Sequence, residues 1–219
     1  LKSMGAKIEG LGTNKIFIQG VDSLHKAKHK IISDRIVAGT FIILAVMVNN
    51  KIEVKNLDPN HLTSLIKVLK KMGANLNILK NSIKINSSKM LRGTKVITAP
   101  YPGFPTDLQA QLMSLMTLVN GKSQIKEVVF ENRFMHVPEL NRLGAKIKLN
   151  KDQAFIEGNQ KFKGAQVMAS DLRASVSLVL AGLCAEGDTT IHRVYHLDRG
   201  YEKIEKTLGN CGPKIVRKK

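Results

Sequence analysis

Aspartate and arginine recur at corresponding places along this 219-residue chain, and together they could set a carboxylate base beside a bound phosphate or carboxylate. Asp34, Asp107 and Asp171 each open an apolar stretch, in Asp34-Arg35-Ile36-Val37-Ala38-Gly39, Asp107-Leu108-Gln109-Ala110-Gln111 and Asp171-Leu172-Arg173-Ala174-Ser175. A carboxylate at such a place can serve as a base, or it can accept the orphan N–H groups of a helix start at the positive end of the dipole. On residue type alone, capping accounts for all three. Asp107 also follows a loop holding three of the chain's six prolines, Pro100, Pro102 and Pro105, whose fixed torsions would aim it rigidly. The chain has only 8 arginines, and three of them, Arg133, Arg173 and Arg199, sit at matching turns. A guanidinium clamps phosphate or carboxylate in bidentate fashion, and Arg199 stands where the last amphipathic helix is expected to begin. The other use for Arg199 is a surface pair with Asp198 or Glu202.

The elements that must position these residues follow from hydrophobic periodicity. The stretches Thr40 to Val48, Leu108 to Val119 and Leu172 to Cys184 are apolar on nearly every face and predict helices buried all round. Each is followed by a polar turn and a short strand signal, at Lys51 to Val54, Ser123 to Val129 and Thr189 to Val194. A second helix then ends at Gly73, Gly144 or Gly212, each fit for a left-handed cap. With Gly5 these glycines recur at steps of 68, 71 and 68 residues, which predicts three units of about 70 residues, approximately 34–99, 107–168 and 171–219. Alternating strands close the first two units, at Leu76 and Ile78 with Ile83 and Ile85, and at Ile147 and Leu149 with Phe155. Residues 1–32 open in mid-motif at Met4-Gly5-Ala6, so they are expected to be trailing strands of a companion lobe. Residues 33–219 are expected to be a lobe that lacks its N-terminal strand, in the C-terminal part of a longer protein.

Composition bounds the rest. With 35 Lys+Arg against 17 Asp+Glu the formal charge is +18, and 43% of the residues are hydrophobic, a globular composition. The charge is mostly lysine scattered over surface-type positions without interleaved aromatics, as A/T-rich coding would produce, so no specific nucleic-acid partner is expected. The longest apolar run, Phe41 to Val48, is far short of the ~20 residues a membrane span needs. Two cysteines, Cys184 and Cys211, exclude a disulfide scaffold and a zinc cluster, and both are expected in the core. His136 and His196 have no carboxylate or metal spacing around them and are expected to be structural. The expected location is the cytoplasm, with no membrane insertion.

Four stretches together are similar to the enolpyruvyl transferase family. They are Pro100 to Gln111, Phe130-Glu131-Asn132-Arg133-Phe134-Met135-His136-Val137-Pro138-Glu139-Leu140, Asp171 to Ser175 with Leu180-Ala181-Gly182, and Tyr195-His196-Leu197-Asp198-Arg199-Gly200-Tyr201-Glu202. The resemblance runs from Met4 to Arg217. It implies an α/β (α+β) fold, an inside-out barrel of three repeats with buried helices and outer sheets.

It also implies chemistry: transfer of the enolpyruvyl group of phosphoenolpyruvate to the 3-hydroxyl of UDP-N-acetylglucosamine, with phosphate released, at the first committed step of peptidoglycan synthesis. By resemblance Asp107 binds that hydroxyl and accepts its proton, and Arg199 contacts the phosphate of phosphoenolpyruvate. Arg133 and Arg173 support the cationic cluster, with Glu131 and Asp171 as their partners. The backbone of Val129 holds the nucleotide sugar, a position equally compatible with a core strand, and Asp34 completes the substrate-binding set. No cofactor or metal is implied. The resemblance puts an acid cysteine, a Lys-Asn pair and two further arginines upstream of Leu1, so the chain alone is expected to have little turnover. Two other readings remain: a sister enzyme acting on shikimate 3-phosphate, and a non-catalytic fragment of the same fold that binds anions.

Overall fold

The computed structural model describes residues 1–218, which divide into two compact units, residues 1–32 and 33–218. In the first, a 3₁₀ turn at Lys2–Met4 precedes an antiparallel hairpin of β1 (Lys7–Glu9) and β2 (Phe17–Gln19), with Ile8 opposite Ile18. Ile8 is its only core residue; Phe17, Ile18, Ile31 and Ile32 are exposed.

The second unit is organised by three helices, α1 (Arg35–Met47), α3 (Gln109–Leu118) and α5 (Leu172–Leu183). All residues from Gln109 to Thr117 are buried, as expected of a helix apolar on every face. Two of its polar members bond across to neighbouring helices: Ser114 Oγ donates to the Ser177 carbonyl of α5 at 3.2 Å, and Gln111 Nε2 to Thr40 Oγ1 of α1 at 3.0 Å. These bonds satisfy groups that would otherwise be costly inside.

Sheets lie around the helices. β3 (Ile52–Lys55), β4 (Asn75–Ile78) and β5 (Ser82–Asn86) form an antiparallel sheet in the order β3-β5-β4, with α2 (Thr63–Lys71) between β3 and β4 in the chain. β6 (Lys95–Ile97), β7 (Lys122–Lys126), β8 (Lys146–Asn150) and β9 (Gln153–Glu157) form a second sheet in the order β6-β7-β9-β8. Here β6 and β7 are parallel, joined across α3, and α4 (Val137–Arg142) links β7 to β8. β10 (Gln166–Met168) and β11 (Thr190–His192) are parallel across α5, and α6 (Ile204–Gly209) follows. Parallel neighbours need such a helical crossover. The strands of the described residues thus make four separate open sheets, and no closed barrel is present among them. No helix among them is long and apolar enough to cross a membrane.

α2 and α4 end alike. After α2, Gly73 at φ 97° lets Ala74 N–H reach the Leu69 carbonyl at 2.9 Å while its own N–H reaches Lys70 at 3.0 Å. After α4, Gly144 at φ 101° does the same with Ala145, Leu140 and Asn141. Both are Schellman caps, which favour glycine. Gly5 and Gly212 also have positive φ, 98° and 112°.

Cys211 departs from expectation. It is exposed, whereas its counterparts Met72 and Leu143 are buried. No strand follows Cys211 among the described residues. Cys184 is half-buried against the core, and burial pushes its thiol up to about 11.

Candidate active site

The three aspartates part company. Asp34 Oδ1 accepts the N–H of Ile36 at 2.7 Å and of Val37 at 3.1 Å, and Asp171 Oδ1 accepts those of Arg173 at 2.8 Å and Ala174 at 3.0 Å. Both are helix caps. Asp107 caps nothing: it lies inside a 3₁₀ turn, Thr106–Leu108, that Pro105 introduces in extended conformation. Leu108 anchors this turn in the core, and Gln111 Nε2 donates to the Asp107 carbonyl at 3.0 Å.

The carboxylate this releases faces two arginines. Arg133 Nη2 donates to Asp107 Oδ1 at 2.7 Å, and Arg173 Nη2 to Oδ2 at 3.0 Å. Burial would raise the Asp107 carboxyl, but the hydrogen bonds and charges of Arg173 and Arg133 outweigh it and hold the group below its ordinary value. The aspartate side chain is 37% exposed, so the pair of arginines grips a carboxylate that solvent still reaches.

Arg133 comes from a loop running from the end of β7 to α4, and its guanidinium lies over the Phe130 ring, 4.7 Å from the centroid. An open cavity of about 680 Å³ follows this loop, walled by Val128, Val129, Phe130, Arg133, Leu149 and Lys151. Val129 is exposed here, not in a core strand, because β7 ends at Lys126; its N–H is given to Glu127 Oε1 at 2.9 Å. Arg173 comes from the first turn of α5, immediately after the Asp171 cap.

Other expected members stand apart. Glu131 is exposed and, among the described residues, makes no ion pair with the arginines; the carboxylate they share is that of Asp107. Asp171 serves Arg173 through its backbone N–H and not its guanidinium. Arg199 ends a 3₁₀ turn, Val194–Arg199, instead of opening a helix, and is exposed. Its expected surface partner Asp198 is taken by Arg217, with bonds of 2.8 and 2.7 Å. The link to the Asp107 turn comes from Tyr201, two residues on: Tyr201 OH lies 2.8 Å from Thr40 Oγ1, and Gln111 Nε2 bonds both Thr40 Oγ1 and the Asp107 carbonyl. Asp34 sits at the start of α1, the same helix as Thr40, engaged only as a cap.

His136, one of the two histidines beside the motifs, is buried, and burial lowers it to about 4, opposed by the charge of Asp171. Glu127 is a residue that sequence reasoning missed. It is only 5% exposed, yet its carboxylate accepts from two hydroxyls and two backbone N–H groups. Nothing in the run Lys126-Glu127-Val128 marks it, since a charged residue at a strand end ordinarily faces water.

Buried helices, open sheets around them and an aspartate shared by two arginines define a mixed α/β protein with a charged cluster at the start of α3. Residues 1–208 match the family described as EPSP synthase (3-phosphoshikimate 1-carboxyvinyltransferase), and the chain belongs to that family. A UDP-N-acetylglucosamine 1-carboxyvinyltransferase of Pelagibacter ubique is 50% identical over 217 residues, covering 99% of this chain and 52% of the relative. The protein of the same name from Methylacidiphilum infernorum is likewise 50% identical over 217 residues, with the same coverage. The chain thus spans about half the length of the curated relatives it matches. Among solved structures, the enolpyruvyl transferase NikO from Streptomyces tendae superposes with a TM-score of 0.86 at 26% identity, over 96% of this chain and 51% of that one. An EPSP synthase from Acinetobacter baumannii, at TM-score 0.80 and 22% identity over 100% of this chain and 54% of that one, has the same fold.

Proposed function

We propose that this chain contributes the base and part of the cationic cluster of an enzyme that moves the enolpyruvyl group of phosphoenolpyruvate onto the 3-hydroxyl of UDP-N-acetylglucosamine. In that transfer the hydroxyl loses its proton and its oxygen bonds to the enolpyruvyl carbon as the methylene gains a proton; the resulting methyl then loses a proton as the bond to the phosphate oxygen breaks, so phosphate leaves and the double bond is restored. Asp107 is the base, and Arg133, Arg173 and Arg199 hold the anionic substrates, with the Val129 loop along the nucleotide sugar. Asp34, Glu131 and Asp171 complete the surroundings. The observation that carries this reading is the release of Asp107, alone among the three aspartates, from capping duty to sit between two guanidiniums. The methylene acid comes from outside these residues: Cys184, at the far end of α5, lies ~16 Å along the helix from Arg173 by helical rise. Residues 1–32 are read as strands of the companion lobe and 33–219 as a three-repeat lobe. The reaction belongs to cell-wall biogenesis in the cytoplasm, serving cell shape and division.

The test is phosphate release with UDP-N-acetylglucosamine and with shikimate 3-phosphate as acceptors, in this chain completed by the upstream half of its Pelagibacter ubique relative. Turnover is expected with the nucleotide sugar, and little with residues 1–219 alone. Asp107→Ala or Arg199→Ala should lower kcat ~10²-fold or more. Near-normal activity in both variants removes the assignment of roles, and turnover only with shikimate 3-phosphate replaces the acceptor.

A further inference from the structure

We infer that Glu127 is the positioning residue of the Asp107 site, a buried carboxylate from which both sides of the aspartate–arginine pair are hung. Oε2 accepts from Thr106 Oγ1 at 2.7 Å, and Thr106 is the neighbour of Asp107 in its 3₁₀ turn. Oε1 accepts from Val129 N–H at 2.9 Å and Phe130 N–H at 3.0 Å, and the Phe130 ring lies beneath the Arg133 guanidinium. Oε1 also takes Thr98 Oγ1 at 2.8 Å, just past the end of β6, and that hydroxyl in turn accepts Val128 N–H at 3.0 Å. One side chain thus joins the end of β6, the turn that carries Asp107 and the loop that carries Arg133. Its own backbone is fixed by a bond from its N–H to the Asp152 carbonyl at 2.8 Å.

A carboxylate this enclosed is unfavourable unless its lone pairs are filled, and here they are filled by groups from three separate segments. The consequence is directional. A shift of the Thr106 turn or of the loop by an ångström would part Asp107 from Arg133, and misplacement on that scale matters to a reacting group. What the positioned site does rests on the transferase reading above; the positioning itself does not.

Three variants of the 219-residue chain test this without any substrate: Glu127→Ala, Glu127→Gln and Thr106→Val. Amide exchange is followed at Val129 and Phe130, and the Asp107 carboxylate is titrated by carbon NMR. Glu127→Ala should speed exchange at both amides about tenfold or more and move the Asp107 midpoint up toward the ordinary aspartate value. Glu127→Gln, which keeps an acceptor for the loop and lets the Thr106 hydroxyl rotate to accept, should restore both. Thr106→Val should raise the Asp107 midpoint while exchange at the two amides stays close to wild type. A folded Glu127→Ala chain with an unchanged Asp107 midpoint overturns the inference. Should that variant not fold, Thr106→Val decides alone, and an unchanged midpoint there is equally fatal. Because these readouts need no turnover, failure of the transfer assay and failure of the positioning role are separable.

Discussion

The starts of α5 and α3 are built from the same residue types and do opposite things with them. At α5 the aspartate comes one residue before the helix and spends its carboxylate on two backbone N–H groups. At α3 a 3₁₀ turn intervenes, the preceding residue is proline, and the aspartate is rotated out of capping range toward two side chains from elsewhere in the fold. Capping is a local transaction complete within four residues. The Asp107 cluster needs Arg133 from 26 residues on and Arg173 from 66 residues on, so it exists only when the second unit is folded. The local one supports the helix, and the long-range one holds a charged group that solvent still reaches.

The largest effect expected around this contrast concerns His136, which lies within reach of the charges of both Asp171 and Arg133. Burial depresses it from 6.5 to about 4, so between these values the unfolded chain binds a proton that the folded chain refuses. Stability should therefore fall as pH drops from about 6.5 to 4, by a total on the order of 3 kcal/mol. Urea unfolding across this range should show the slope, and His136→Gln should flatten it. A slope unchanged by the substitution would mean that another group titrates.

How much of this was legible beforehand depends on the range of the interaction. The helix starts, the glycine turns and the buried character of α3 rest on residues within a few positions of one another, and each was readable from spacing. Capping was readable at Asp34 and Asp171 for the same reason. The Asp107–Arg133–Arg173 contact was legible as a set of residues, through motif resemblance, but its geometry was not, since residue type alone made all three aspartates caps. Glu127 was invisible because its burial is decided by what folds over it. Cys211 was misjudged because its place in the repeat matches Met72 and Leu143, while no strand follows it among the described residues. The barrel came from the resemblance, and among the described residues the strands form four separate open sheets, because strand signals specify segments and not how sheets join.

A smaller effect separates the aspartates by stability. Asp34→Ala and Asp171→Ala each should lose about 1 kcal/mol, the usual worth of a cap, with little dependence on salt. Asp107→Asn should lose a few tenths to about 1 kcal/mol at low salt, and most of that should vanish near 1 M salt, since the ion pairs it removes are partly exposed and screened. Denaturant midpoints at pH 7 at both ionic strengths provide the check. A salt-independent loss at Asp107, or a salt-dependent one at Asp34, would erase the distinction.

The smallest effect bears most directly on chemistry. Arg133 and Arg173 hold the Asp107 carboxyl low, which makes the resting aspartate a weak base. Its folded value lies below the ordinary one, so the stability it contributes is present above the ordinary aspartate value and is lost as pH falls through the folded value. An anion that draws the guanidiniums to itself weakens that hold and adds a like charge, and both changes raise the proton affinity of Asp107. Inorganic pyrophosphate added to the 219-residue chain should therefore move the Asp107 midpoint up by a fraction of a unit. A midpoint at Asp107 that is indifferent to saturating pyrophosphate would show that the two arginines serve the aspartate and not a ligand, and the difference between the two helix starts would then be structural alone.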